Sequence, residues 1–146
     1  MKAKDFFIEI QQLENQIESK RYMAQNYRTL AEGLQSPSYS DMPKNPNRPL
    51  QPMADALGKA MEIERDISVL EQSLVEKKTI AMNIIYELLH NEYQVVLIKR
   101  HFEKKSWCQI MSTMYYSKSG IYKLYNQALE AFTRCLNREV DFSRPE

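Results

Sequence analysis

A block of basic residues lies between positions 99 and 128, where Glu103 is the single acidic residue. The block consists of Lys99, Arg100, Lys104, Lys105, Lys118 and Lys123. Because the whole chain carries a net charge of only +1, this excess of positive charge is local. The phosphate groups of a nucleic-acid backbone are attracted to such a surface, and a solvated lysine surface is the alternative interpretation.

The residue types that carry out catalysis or bind metals form no recognisable constellation. His90 and His101 lie 11 positions apart and belong to no metal-ligand motif. Cys108 and Cys135 are not part of a C-x-x-C pair, which predicts two free thiols. The sequence contains no glycine-rich phosphate loop and no nucleophile elbow. We therefore predict that the protein is not an enzyme and binds no metal or cofactor.

The chain of 146 residues is long enough for about one domain. Its 43% hydrophobic and 27% charged residues are typical of a globular protein. The opening residues MKAKDFFIEI contain no signal-peptide core, and no stretch of 18 apolar residues follows. We expect a cytoplasmic protein without a membrane partner.

Two long segments, residues 1–35 and 53–90, have the apolar spacing of helices that pack against another helix. Steps of three and four residues place their apolar side chains on one stripe, which is interrupted by Lys20 in the first segment and Lys77 in the second. The stripes are Phe6, Ile10, Leu13, Ile17, Ala24, Tyr27, Ala31 and Leu34, and Met53, Ala56, Ala60, Ile63, Ile67, Leu70, Leu74, Ala81, Ile84 and Leu88. Because neither stripe is buried by its own helix, we predict a long antiparallel, coiled-coil-like helical hairpin.

Residues 36–52 separate the two segments and hold five of the six prolines. Each proline removes a backbone donor and restricts the residue before it, which predicts a non-helical linker. A stiff, proline-rich docking strip for a partner is the alternative interpretation of this segment.

Residues 91–138 carry the start signals of three short helices. Asn91 with Gln94, and Ser106 with Gln109, have the spacing of a capping box, and Ser117 is a third candidate cap. No segment shows the alternation of a strand, so we predict an all-α fold with a helix-turn-helix module after the hairpin. Residues 139–146 are expected to form a tail.

The helix predicted to start at Ser117 has two distinct faces. Ile121, Leu124 and Ala128 follow the spacing of a packed face. The side chains that then project outward along its first turns are those of Lys118, Ser119, Tyr122, Lys123 and Asn126. Lysine and asparagine can donate to base edges, and serine and tyrosine can contact bases or phosphates.

The stretch LIKRHFEKKSWCQIMSTMYYSKSGIYKLYNQALEAF resembles the fourth region of bacterial sigma factors, and more closely the phage-encoded activators of the ArpU and RinA type. The family pattern reads L-x-x-R-Y, then S-W-x-x-I-A, L-G-Y-S and a helix that ends in A-L. The residues that match in order and spacing are Leu97, Arg100, Ser106, Trp107, Ile110, Met114, Tyr116, Ser117, Ile121, Leu124, Ala128 and Leu129. The resemblance covers about 40 of the 146 residues.

The resemblance implies a helix-turn-helix that binds double-stranded DNA. It places Lys118, Ser119, Tyr122 and Lys123 at base-reading positions, and Asn126 lies one turn further along the same edge. The residues expected near the phosphate backbone are Lys99, Arg100, Lys104, Lys105, Ser106 and Ser117.

Two residues depart from the family pattern. Met111 replaces a small alanine, and Tyr115 replaces a glycine or small polar residue that accepts a positive φ. A tyrosine there is strained unless the turn is wider. Gly120 lies inside the reading helix, where glycine costs about 1 kcal/mol relative to alanine and suits close approach to a phosphate.

The aromatic residues of this module are expected to pack rather than to stack on bases. Trp107 is predicted to be a core residue, and His101 to replace the family's tyrosine. A cluster of four tyrosines is expected to be partly buried, with Tyr122 alone on the DNA side. The cluster consists of Tyr115, Tyr116, Tyr122 and Tyr125.

These features predict a sequence-specific transcriptional regulator encoded by a phage or prophage. RNA polymerase is a candidate partner, and the hairpin is a candidate surface for homo-oligomers. Two alternatives stay open: a DNA-recognition protein resembling a terminase small subunit, and a coiled-coil adaptor that does not bind DNA.

Overall fold

The computed structural model describes residues 1–35 and 51–143, and these residues are all-helical without a strand. The helices are α1 (Ala3–Gln35), α2 (Gln51–Glu87), α3 (Asn91–Leu97), α4 (Trp107–Met114) and α5 (Lys118–Ser143). A π-helical turn at Ile98–Phe102 continues α3. The predicted all-α class is therefore confirmed for the described ranges. Among these helices, none is both long and apolar enough to cross a membrane.

The predicted linker and the structure disagree at one end. Positions 36–50 lie outside the described residues, but Gln51 and Pro52 form the start of α2, so the prediction of a non-helical linker through residue 52 is wrong there. Proline is tolerated in the first turn because the backbone donors of that turn have no helical partner. The second long helix also ends at Glu87 rather than at residue 90.

Residues 12–75 form one compact unit, built from parts of α1 and α2. Its core contains Ile17, Ala24, Ile63 and Ile67, with Tyr27, Leu70 and Leu74 packed against it. These residues all belong to the two predicted apolar stripes. The stripes are therefore confirmed as the packing faces of this unit.

Ion pairs flank that apolar core. Nη2 of Arg28 donates to Oε2 of Glu64 at 2.8 Å, Arg21 pairs with Glu71, and Nζ of Lys20 lies 3.7 Å from Asp66. These pairs join α1 to α2 through Lys20, Arg21 and Arg28. Lys20 interrupts the apolar stripe of the first segment. Its half-buried side chain pairs with Asp66 instead of entering the core.

Residues 1–11 and the described residues from 76 onward form the second compact unit. The rings of Phe6, Phe7 and Phe132 pack together, with the Phe7 and Phe132 centroids 4.9 Å apart. The backbone N–H of Ala3 donates to Oγ1 of Thr133 at 2.9 Å. The start of α1 is therefore part of the same core as α5.

The start of α3 differs from its prediction. The residue that caps this helix is His90, and its side chain makes no capping hydrogen bond. Nε2 of Gln94 instead donates to the carbonyl of Leu88 at 2.9 Å. The predicted capping box at Asn91 and Gln94 is wrong because the Gln94 amide is used as a donor to the preceding connection.

Candidate nucleic-acid interface

Helix α4 begins at the predicted capping box. Oγ of Ser106 accepts from the backbone N–H of Gln109 at 3.3 Å, and Oε1 of Gln109 accepts from the N–H of Ser106 at 3.1 Å. These two bonds satisfy donors that a helix start leaves without partners. One turn later, the Ile110 side chain is fully buried, which anchors the short helix.

The connection from α4 to α5 contains the expected left-handed residue. Tyr115 has φ 60° and ψ 43°, and its N–H donates to the carbonyl of Met111. The tyrosine thus adopts a left-handed conformation that favours glycine, at a cost of about 1–2 kcal/mol. Its ring is 93% exposed, so the prediction of a partly buried side chain is wrong for Tyr115.

Ser117 caps helix α5, as predicted, because its Oγ accepts from the N–H of Gly120 at 3.2 Å. The same geometry explains the glycine. A Cβ at position 120 would lie 3.1 Å from Oγ of Ser117 and 3.3 Å from a ring carbon of Tyr116. Close packing at the helix start therefore accounts for Gly120 without a phosphate.

The first turns of α5 separate a buried from an exposed face. Ile121, Leu124 and Ala128 are buried, as their spacing predicted. The five candidate base-reading residues are all exposed, namely Lys118, Ser119, Tyr122, Lys123 and Asn126. The outward projection of these side chains is confirmed, and their contact with bases stays a prediction.

Tyr122 is 38% exposed. Its ring centroid lies 5.1 Å from that of Trp107, and the Tyr125 ring lies 4.8 Å from Trp107 on an edge. Trp107 is half-buried rather than a full core residue, which corrects its prediction. Contact with Trp107 therefore restricts the orientations that the Tyr122 ring can adopt.

The basic residues before α4 surround the one acidic residue of the block. Nζ of Lys99 lies 3.9 Å and Nζ of Lys105 lies 3.8 Å from Oε2 of Glu103. The Lys99 side chain is only 19% exposed, whereas that of Lys105 is 41% exposed. Glu103 offsets part of the positive charge of both lysines, and Lys105 is the more accessible of the two.

Arg100 is held in a fixed position by two contacts. Its guanidinium carbon lies 4.7 Å from the centroid of the Trp107 ring, and its Nη1 donates to the carbonyl of Lys105 at 3.1 Å. Stacking on tryptophan and hydrogen bonding to the backbone both suit the planar guanidinium. A preordered cation of this kind loses little side-chain entropy when it meets an anion.

The backbone of Lys104 adopts a left-handed conformation, with φ 58°. Its side chain is exposed, and its Nζ donates to Oε1 of Gln11 at 2.6 Å. Nothing in the sequence signals this backbone conformation, because lysine has no preference for it.

His101 lies among aromatic rings. Its ring stacks on Phe7, with centroids 3.9 Å apart and planes at 4°, and its Nε2 forms a 2.8 Å hydrogen bond with the hydroxyl of Tyr125. Burial lowers the pKa of His101 from 6.5 to about 4, and the positive charges of Arg100 and Lys104 add to the effect. The imidazole is therefore neutral at pH 7.

A tyrosine hydroxyl joins the α4–α5 connection to α3. The hydroxyl of Tyr116 donates to Oε2 of Glu92 at 2.7 Å, and this bond raises the pKa of Tyr116 above its ordinary value. The ring of Tyr116 is half-buried, as predicted for the cluster.

Comparisons with protein-family models, with curated proteins and with solved structures return no match for this chain. Its function is therefore inferred from its own residues and their geometry. Both cysteines are free, with Cys108 exposed and Cys135 half-buried. Within residues 1–35 and 51–143, no group of histidine, cysteine and carboxylate side chains could hold a metal ion.

The contacts that α1 makes with this region were not predicted from the sequence. Phe7 stacks on His101, and Gln11 accepts from Lys104, yet both lie near the opposite end of the sequence from α4 and α5. One signal was present: the adjacent phenylalanines at positions 6 and 7 make the apolar stripe wider at the start of α1 than elsewhere.

Proposed function

We propose that this chain is a sequence-specific transcriptional regulator that binds double-stranded DNA. In this proposal α4 and α5 form a helix-turn-helix, and α5 enters the major groove. One observation carries it: all five candidate reading residues are exposed on the first turns of α5, while Ile121, Leu124 and Ala128 on the opposite face are buried.

The exposed edge has the chemistry that base reading requires. Lys118 and Lys123 can donate to O6 and N7 of guanine, and the Asn126 amide can bond adenine at two atoms. Before α4, Arg100, Lys104 and Lys105 supply positive charge for phosphates. Ser106 and Ser117 hold the helix starts, whose backbone N–H groups favour anions nearby.

The resemblance to sigma region four and to ArpU- and RinA-type activators favours a phage or prophage regulator that cooperates with RNA polymerase. A single recognition module buries only about 600–1,000 Å² on DNA, which seldom supplies enough affinity to select one site. A second source of contacts is therefore part of the proposal.

Association of two copies through an antiparallel helical hairpin would supply those contacts. The unit of residues 12–75 leaves apolar side chains exposed on surfaces that its own core does not cover. They include Tyr22, Met23, Leu30, Leu57, Met61 and Val69. Exposed apolar surface of this kind favours a partner helix.

The test begins with selection of a binding site from random duplexes by the full chain. Fluorescence anisotropy then compares the selected duplex with a scrambled one at several salt concentrations. If about four to six basic residues meet phosphates, the slope of log affinity against log salt is about −4 to −5. No binding to any duplex, or a slope near zero, would overturn the proposal and favour a protein-binding adaptor.

Variants separate base reading from phosphate contact. Lys118→Ala and Lys123→Ala are expected to reduce discrimination between the two duplexes by about 1–3 kcal/mol each. Lys104→Ala is expected to weaken both duplexes alike, because a phosphate contact carries no sequence information. Equal losses on both duplexes for all three variants would contradict the assignment of α5 as the reading helix. Strong binding without any sequence preference would point to a packaging role instead.

A further inference from the structure

A cavity of about 370 Å³ opens in the unit that contains residues 1–11 and 76 onward. Three cationic side chains and three aromatic ones line it, together with aliphatic residues of α1. The cations are Lys4, Arg100 and Lys104, and the rings are Phe7, His101 and Tyr125. None of the described residues that line it is acidic. The volume lies within the range of small-molecule sites.

The aromatic residues that line the cavity are packed against one another and fixed. The Phe7 and His101 rings are parallel to within 4°, and the ring of Tyr125 lies 5.7 Å from that of His101 at an angle of 29°. The 2.8 Å hydrogen bond between His101 and the Tyr125 hydroxyl holds both rings in place. Phe7 is only 5% exposed and covers one face of His101, so the apolar surface open to a ligand is that of the half-buried Tyr125 and of Ile8, which is 46% exposed.

The positive charge at the cavity is also ordered before a ligand arrives. Stacking on Trp107 and a bond to the Lys105 carbonyl position Arg100, and the bond to Gln11 positions Lys104. Because His101 is neutral at pH 7, the ring itself adds no charge, and the positive charge at the cavity comes from Lys4, Arg100 and Lys104. Such positive charge favours an anion over a neutral molecule of the same shape.

We propose that this cavity binds a small organic anion with an apolar body, such as an aromatic carboxylate or sulfonate. The anionic group meets Lys4, Arg100 and Lys104, and the apolar body packs against Ile8 and Tyr125. The site lies apart from the base-reading face of α5 but shares Arg100 and Lys104 with the surface proposed to meet phosphates, so it is tested without DNA.

Two fluorescent probes test the proposal with the full chain in the absence of DNA. 8-Anilino-1-naphthalenesulfonate carries an apolar aromatic body and an anionic group, and N-phenyl-1-naphthylamine has the same ring system without the sulfonate. Titration at pH 7 is expected to give one site for the sulfonate, at least tenfold tighter than for the neutral amine. Added salt is expected to weaken the sulfonate alone.

Lysine variants locate the site. Lys4→Gln and Lys104→Gln are each expected to weaken sulfonate binding three- to tenfold and to leave the neutral probe unchanged. Lys2→Gln is the matched control, because it removes the same charge from a neighbouring position that does not line the cavity. Circular dichroism melting verifies that the three variants fold alike.

Two results would overturn the proposal. One is equal affinity for the sulfonate and the neutral amine, which would show binding to apolar surface alone. The other is a sulfonate affinity that responds to Lys2→Gln as much as to Lys4→Gln and Lys104→Gln. Because no DNA is present, neither result depends on whether the chain binds a duplex.

Discussion

The two compact units of this protein bury their apolar residues to different degrees. The largest fully buried side chains all belong to the unit that contains residues 1–11 and 76 onward: Phe132, Ile84, Leu97, Ile110, Ile121 and Val96. In residues 12–75, by contrast, the largest core residues, such as Ile63 and Ile67, stay slightly exposed, and Tyr22 and Val69 are largely exposed.

The difference follows from the number of helices that each unit brings together. Two helices can cover only the stripes that face each other, and the rest of their apolar surface stays in water. In the other unit, the ends of α1 and α2 join α3, α4 and α5, so that apolar residues are covered from several sides. The candidate interface is therefore built on the better packed unit, and the other unit has surface left for a partner.

The largest effect expected from this comparison concerns Phe132. Phe132→Ala would leave a cavity beside Phe6 and Phe7 and lower the free energy of unfolding by about 3–5 kcal/mol. Ile63→Ala, in the core of residues 12–75, is expected to cost about 2 kcal/mol because its side chain is smaller than that of Phe132 and 6% of the residue is still exposed. Urea unfolding followed by circular dichroism measures both, and equal losses would contradict the comparison.

The pH dependence of stability gives the next largest effect. The folded-state pKa of His101 is about 4 and its unfolded value is 6.5, so between these values the unfolded chain binds a proton that the folded chain does not. The contribution of His101 to the free energy of unfolding is therefore constant above pH 6.5 and falls, by up to about 3 kcal/mol, as the pH drops towards 4. The charged and titratable groups that face the ring are Arg100, Lys104 and Tyr125.

His101→Phe tests this prediction because it keeps the stacking on Phe7 and removes the titrating group. Urea unfolding at pH 7.5 and pH 4.5 is expected to show a smaller pH dependence for the variant than for the wild type. The carboxylates are common to both proteins, so their contribution cancels in the difference. An identical pH dependence would mean that His101 is not held neutral by its surroundings.

A smaller effect is expected at Tyr115, where relief of strain makes the well-packed unit more stable. Tyr115→Gly removes the Cβ that disfavours φ 60°, and after the entropy cost of glycine the gain is about 0.5–1 kcal/mol. The ring makes no buried contact to lose, since it is 93% exposed. Tyr115→Ala keeps the Cβ and serves as the control, so a similar gain for both variants would rule out strain as the cause.

Local rules predicted much of this fold because they act over a few residues. The spacing of Ile121, Leu124 and Ala128 gave the buried face of α5, and the capping rules located Ser106 and Ser117. The same rules failed at Asn91 and Gln94, where a carbonyl of the preceding connection competes for the amide.

Contacts between residues far apart in sequence could not be predicted in this way. The stacking of Phe7 on His101 joins positions 94 residues apart, and no local pattern indicates it. The same holds for the bond between Lys104 and Gln11. The aromatic cavity depends on these contacts, so it could be recognised only from the structure.

The smallest effect is expected from the ion pairs that flank the core of residues 12–75. Arg28 and Glu64 are exposed enough for solvent to screen them, although hydrogen bonding to Arg28 lowers the pKa of Glu64. Glu64→Gln is expected to lower the melting temperature slightly at low salt, and the difference from wild type is expected to vanish near 1 M salt. A large loss that persists at high salt would mean that ion pairing, rather than the apolar stripe of Ile17, Ala24 and Ile63, holds these two segments together. In that case the less buried unit would depend on charge in the way that the other unit depends on Phe132.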